Sequence, residues 1–303
     1  MTDQSTWQSL KASSYDLIAG TTAGFFAKFV EYPFDVGKVR SQTQKPGTAN
    51  VGSFQLIKNL VVEKGVVDGL YKGISAPLVG AMAENAIVFL VFGEVQRRLQ
   101  GENKARELSI PEKMVAGASS GVAVSIWLTP VELIKCRLQS ESTASQYTGA
   151  VDCLKKVIKG EGVATLFTGF SATLLRETPG GAFYFGGYEL ALLALSPPDT
   201  KKEDISPLTF MGSGAIGGML YWSAMFPIDT IKSKLQVDIE SLKKGMGGRS
   251  VNTVSVGKYI VETEGVAGLY RGLPITLVRA VPANAMIFYI YESVLRVLKD
   301  GDK

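Results

Sequence analysis

Three short segments of this chain repeat one arrangement of proline, acid and base. They are Pro33, Asp35 and Lys38; Pro130, Glu132 and Lys135; and Pro227, Asp229 and Lys232. An acid and a base three residues apart share one face of a helix. A proline two residues before the acid removes a backbone hydrogen bond and kinks the helix, which swings its end toward a bundle axis. Three inward-pointing pairs of this kind can form a ring of ion pairs between helices that closes one end of a cavity and opens again. A single copy would be better explained as charges capping a solvated helix end. Three copies at identical spacing favour the ring, because a charge near a bilayer centre costs at least about 2.5–3.5 kcal/mol when it has no partner.

A second group of charges is not repeated. Counting back 13 residues from Gly93, Glu189 and Glu292 gives Gly80, Arg176 and Arg279 at equivalent positions. Glu177 follows Arg176, and Glu84 lies one turn past Gly80. Positions that obey the repeat serve the fold, and those that differ are candidates for ligand recognition. Arginine grips a carboxylate in a two-pronged fork, whereas Glu84 and Glu177 suit one or two ammonium groups. Together they fit a zwitterion with an additional positive charge. The competing expectation is that Arg176 with Glu177, and Glu84 with Arg279, neutralise one another, since ionisable groups inside membranes do pair.

The elements that must carry these residues follow from the repeat. The acids at 35, 132 and 229 are 97 residues apart both times. Gly20 and Gly24, Gly117 and Gly121, and Gly214 and Gly218 recur upstream in a GxxxG spacing suited to close helix packing. Downstream come Glu63-Lys-Gly65 with Tyr71-Lys72-Gly73, Glu161-Gly162 with Phe167-Thr168-Gly169, and Glu264-Gly265 with Tyr270-Arg271-Gly272. Each copy reads as an apolar helix, a long loop with an amphipathic helix (near 51–63, 148–159 and 251–263), and a second apolar helix. The repeats are expected at 12–103, 109–198 and 205–300.

Met114–Val131 and Ile205–Ile228 carry no charge over a spanning length. Four further apolar stretches are interrupted by Lys28, Glu84, Arg176–Glu177 and Arg279. Three helix pairs give six spans with both termini on one side. The three long loops hold 18 of the 32 lysines and arginines, which points them toward the negative compartment.

Composition excludes much else. There is no histidine, so a Ser-His-Asp triad, a histidine base and a histidine-ligated metal are ruled out. No nucleophile–base pair or cofactor motif supports an enzyme, and no cofactor is expected. Two cysteines, Cys136 and Cys153, imply no disulfide framework. A net charge of +4 without a basic, aromatic-laced block gives no reason to expect nucleic acid. The N-terminal segment lacks an apolar signal core and is not the arginine-rich, acid-poor helix of a cleaved presequence. Cys136 lies between Lys135 and Arg137, where positive charge favours thiolate; the alternative is an ordinary buried cysteine.

The threefold Px[DE]xx[KR] signature, followed by an aromatic-basic-Gly signal, resembles the mitochondrial carrier family over nearly the whole chain. That resemblance implies an all-α membrane protein, with six transmembrane helices in three pseudosymmetric two-helix repeats around a central cavity and three short amphipathic loop helices. It implies a monomer in the mitochondrial inner membrane, termini toward the intermembrane space, with cardiolipin at the loop-helix N-termini. Within it, Asp35 pairs with Lys135, Glu132 with Lys232, and Asp229 with Lys38 in a matrix gate braced by Gln42, Gln139 and Gln236. A second ring, [FY][DE]xx[RK], matches poorly. Phe92-Gly93 lacks the acid, and Tyr188-Glu189 and Tyr291-Glu292 are followed by Leu192 and Leu295 where a base belongs. A weak cytosolic gate is therefore expected. The segments around Glu84, Arg176 and Arg279 are similar to ornithine and other basic amino acid carriers, and Trp222, seven before Asp229, also fits that branch. Exchange of ornithine, arginine or lysine, with citrulline or a proton as counter-substrate, is thus expected; carnitine/acylcarnitine exchange is the alternative.

Overall fold

A computed structural model describes residues 2–44, 51–101, 106–196, 205–237 and 239–300, with side chains omitted at the N-terminus through Ser14 and at a few further positions. The described residues are helical with no strand. The first repeat has α1 (Thr2–Gln42), a loop helix α2 (Ser53–Lys64), the short α3 (Val66–Leu70) and α4 (Ser75–Gln100). The second has α5 (Ile110–Gln139), loop helix α6 (Ala150–Glu161) and α7 (Phe170–Leu195). The third has α8 (Pro207–Val237), the short α9 (Ile239–Gly245), loop helix α10 (Thr253–Leu269), α11 (Leu273–Val278) and α12 (Ala280–Asp300). The long helices form a ring in the order α1, α4, α5, α7, α8 and α11–α12, with α12 returning to α1. The expected six-helix carrier bundle is the fold observed.

Among the described residues, three stretches are long and apolar enough to cross a membrane by composition alone: Ser75–Gln100, Ile110–Gln139 and Thr253–Leu298. α8 is uncharged from 207 to 228 but is not among them. Its glycines, serines, Tyr221 and Trp222 dilute its hydropathy.

Each odd-numbered span (α1, α5, α8) runs through its motif proline without ending and stops at or near the motif glutamine. What fixes these ends is a small apolar core in each repeat. Leu56 and Leu60 on α2, Cys153 and Val157 on α6, and Val256 and Ile260 on α10 are buried at equivalent i,i+4 positions. Leu60, the Cys153–Val157 pair and the Val256–Ile260 pair pack in clusters with Val36, Leu133 and Ile231 beside the three acid–base motifs. Burying a Leu, Val or Ile side chain is worth about 1.5–3 kcal/mol, so each loop helix anchors the end of the span that bears the charges. The loop helices end or kink at Gly65, Gly162 and Gly265, all with φ between 71° and 90°. A side chain there would be strained, which accounts for that glycine in every copy.

The GxxxG glycines do not behave alike. A Cβ on Gly121 would lie 2.1 Å from the Glu177 carbonyl oxygen, and one on Gly117 would lie 2.7 Å from that of Gly181. Here the backbones of α5 and α7 touch. Gly20, Gly24, Gly214 and Gly218 have nothing within 4 Å. α1 lies along α12 and meets α4 sparingly, while α8 approaches α7 through Gly217, whose Cβ would sit 2.8 Å from the Tyr184 carbonyl oxygen. Close packing through this motif is therefore confined to the second repeat.

Candidate functional site

The three acid–base motifs meet at one end of the bundle. Lys135 Nζ on α5 donates to Asp35 Oδ2 on α1 at 2.5 Å. Lys38 on α1 lies 2.8 Å from Asp229 Oδ2 on α8, and Lys232 on α8 pairs with Glu132 on α5. Each bond joins two different repeats, so the ring closes the cavity floor only when all three repeats are drawn together. These are the partners the carrier resemblance implies.

Each acid also holds an arginine from an even-numbered span. Arg279 pairs with Asp35. Arg176 donates through Nη1 to Asp229 Oδ1 at 2.6 Å and through Nη2 to Glu132 Oε1 and Oε2 at 3.0 and 3.1 Å. It also contacts Glu177. Both arginines, named above as candidates for a ligand carboxylate, thus form a second tier of the closed ring. Of the neutralising pairs foreseen as the alternative, Arg176–Glu177 is present and Glu84–Arg279 is not. Arg279 sits at the junction of α11 and α12. Pro282, three residues on, has no N–H to give the Val278 carbonyl, so the helix breaks there. Pro179 occupies the same offset from Arg176, yet α7 runs on through it. At the third equivalent position, a Cβ on Gly80 would lie 2.5 Å from Val131 Cγ1 on α5. Packing against α5 thus explains the missing side chain there.

The three glutamines diverge. Gln42 Nε2 donates to Asp229 Oδ2 at 2.9 Å and so braces the Lys38–Asp229 bridge. Gln236 Nε2 reaches the Thr129 and Thr168 carbonyls at 3.3 and 3.5 Å instead. Gln139, beside the Tyr32 hydroxyl, makes no hydrogen bond to a ring residue among the described residues. Bracing by all three, as implied by the resemblance, is seen for Gln42 alone.

Above the ring lies a cavity of about 700 Å³, within the size range of small-molecule sites. Glu84, Glu177, Trp222, Arg176 and Arg279 all line it. Glu84 makes no hydrogen bond or ion pair among the described residues. The Trp222 ring faces inward, with Lys38 Nζ 4.1 Å and the Arg279 guanidinium 5.4 Å from its centroid. Sequence reasoning missed Tyr221, whose hydroxyl lies 3.3 Å from Glu177 Oε1, and the wall residues Tyr184 and Tyr188. Tyr221 stands about two helical turns before Asp229 on the same face, and that spacing was the available signal.

At the opposite end, Glu189 pairs with Lys113 at 2.7 Å, joining α7 to α5 inside one repeat. The side chains of Glu292 and Asn85 lie outside the described residues. Cys136 is buried behind the ring against Val39 and Val237, which fits the ordinary buried cysteine. Burial pushes the Cys153 thiol in the loop helix up to about 11.

Comparison with known proteins agrees with this geometry. A family model described as mitochondrial carrier protein matches residues 11–103, 106–197 and 203–302. Mitochondrial substrate carrier family protein S of Dictyostelium discoideum is 38% identical over 93% of this chain and 97% of its own length. Mitochondrial ornithine transporter 1 of Saccharomyces cerevisiae is 34% identical over 94% and 96%. A mitochondrial carnitine/acylcarnitine carrier-like protein of Arabidopsis thaliana is 36% identical over 91% and 96%. With three tandem matches, a closed interrepeat ion ring and relatives aligned nearly end to end, the chain belongs to the mitochondrial carrier family, transporters of the inner membrane.

Proposed function

We propose that this carrier exchanges basic amino acids, namely ornithine, arginine and lysine, across the mitochondrial inner membrane by alternating access, with citrulline or a proton as counter-substrate. The observation that carries this reading is Glu84: a carboxylate lining the cavity with no ion pair among the described residues. A primary ammonium or guanidinium offers such a group several hydrogen-bond donors. Glu177, already facing Arg176 and Tyr221, supplies a second acceptor at the same level.

The substrate carboxylate then has two arginines to claim, Arg279 and Arg176, and both are held by the ring acids. Binding therefore exchanges partners. The carboxylate takes a guanidinium, Asp35 or the Glu132–Asp229 pair loses its second cation, and the ring is left with its three lysines. A ligand shifts a two-state equilibrium only by its differential affinity for the two states. Competition for the same arginines provides that difference. Trp222 stacks against Arg279 and Lys38 and keeps both aimed at the cavity floor. The protein acts as a monomer embedded in the bilayer, with cardiolipin phosphates at the loop-helix N-termini.

Carnitine/acylcarnitine exchange is the second reading, favoured by the aromatic wall of Tyr184, Phe185 and Tyr188, since a trimethylammonium prefers aromatic faces. Purified protein in liposomes, preloaded in turn with ornithine, arginine, lysine, citrulline, carnitine or buffer, separates the two. Labelled ornithine is expected to enter liposomes holding a basic amino acid or citrulline, and this uptake is expected to be lost in Glu84→Gln. Inert ornithine beside rapid carnitine–carnitine exchange would transfer the substrate to the second reading.

A further inference from the structure

In two repeats, a base near the end of the odd-numbered span is pinned to the loop helix by the acid just before its terminal glycine. Arg137 grips Glu161 with both terminal nitrogens, Nη2 to Oε2 at 2.9 Å. Lys234 pairs with Glu264, which also receives Arg271 at 3.0 Å. The third repeat thus builds a cation–carboxylate–cation bracket across α8, α10 and the turn before α11.

The corresponding residues of the first repeat are Arg40, Lys64 and Lys72. The glutamate of this copy, Glu63, stands one position early, so Lys64 occupies the place of the carboxylate and the bracket holds three cations. Arg40 is 7% exposed, and its Nε has no partner among the described residues. No hydrogen bond or ion pair involving its guanidinium occurs among them. Glu63 and Glu141 act on Arg40 only at longer range. Glu63 points outward and lies 3.8 Å from Lys64. Lys72 donates to the Ala144 carbonyl at 2.5 Å. Burial and the neighbouring Lys64 charge draw its ammonium below the ordinary lysine range. Between these groups is a second cavity of about 680 Å³, on the gate side of the bundle, lined by Arg40, Lys64 and Lys72 with Asp68 as the lone acid among the described residues.

We infer that this cavity is an anion site, in which a ligand phosphate or carboxylate takes the place that Glu161 and Glu264 fill in the other repeats. The bound group bridges Arg40 to Lys64 and Lys72 and completes the bracket between α1 and α2. A buried guanidinium without a counter-charge is costly, and an anion that supplies one stabilises the folded state increasingly as its concentration rises. The site recognises charge and the fork of Arg40, so it takes a phosphate free in solution or one borne by a lipid headgroup.

The test is thermal unfolding of the detergent-purified protein, without transport substrate, titrated with inorganic phosphate against chloride at constant ionic strength. Wild type is expected to gain about 2–4 °C in a saturable curve. Lys64→Glu is expected to unfold higher than wild type without phosphate and to lose the response, because it restores the bracket. Lys64→Gln is expected to lose most of the response without that gain. Cardiolipin in mixed detergent micelles stabilises through the loop-helix N-termini in either protein, so a part of its effect that is lost in Lys64→Glu would assign the site to a lipid phosphate. No saturable phosphate effect and no Lys64-dependent cardiolipin effect in wild type, or a phosphate response equally strong in Lys64→Glu, would overturn the inference.

Discussion

Replacing Lys135 by Asp is expected to abolish exchange, by at least about 100-fold, and Asp35→Lys added to it is expected to restore only part. In the closed ring Lys135 meets Asp35 at 2.5 Å in a buried setting. The single change sets two carboxylates face to face, and breaking a buried pair by losing one partner typically costs about 3–5 kcal/mol. At about 1.4 kcal/mol per tenfold change, that is a loss of two orders of magnitude or more in the closed population or in rate. A swap in a simple two-charge bridge would recover nearly everything. Here Asp35 also holds Arg279. In the double variant the lysine introduced at position 35 would therefore face an arginine as well as the carboxylate placed at position 135. Initial rates of ornithine exchange in liposomes measure this. No recovery at all in the double variant would count against the Asp35–Lys135 pairing.

Arg279 is the second place where a large effect is expected. Arg279→Ala removes both the fork for the substrate carboxylate and the second cation on Asp35, and exchange is expected to fall by about 100-fold, as for other truncated buried pairs. Arg279→Lys keeps the charge but loses the planar fork, so it is expected to recover a minor fraction. Its ammonium can satisfy Asp35, yet it cannot also present two parallel donors to a carboxylate. A purely structural role for Arg279 predicts the opposite: thermal stability and exchange would both return with lysine. Comparing the two readouts in the same preparations separates recognition from bracing.

Much of this was legible in the sequence because the repeat is written three times. The period of 97 residues placed the odd-numbered spans, the loop helices and the charged ring in one pass. What escaped it depends on distance between elements that are remote in the chain. Nothing in the spacing of Arg176 says that a long guanidinium reaches past the cavity to Glu132 and Asp229. Nor does Gly20-xxx-Gly24 differ locally from Gly117-xxx-Gly121, although only the latter meets a facing backbone. The break at Arg279 was latent in Pro282, but the same proline offset after Arg176 leaves α7 continuous, so neighbouring packing decides. The shift of one residue between Glu63-Lys-Gly65 and Glu161-Gly162 looked like tolerance within a motif. In space it turns a carboxylate into an ammonium.

If substrate opens the ring by taking its arginines, the buried thiol behind the ring must become accessible when substrate binds. Cys136, 4% exposed and sealed against Val39 and Val237, reports on that directly. In a Cys153→Ala background, the rate at which a membrane-permeant maleimide labels Cys136 should be followed alone, with ornithine, and with 1,4-diaminobutane. The diamine offers Glu84 and Glu177 the same two ammonium groups but carries no carboxylate. Ornithine is expected to accelerate labelling about tenfold or more, the effect of roughly 1.4 kcal/mol on the opening equilibrium, with the diamine leaving it at the resting rate. Equal acceleration by both, or by neither, would contradict opening through arginine capture.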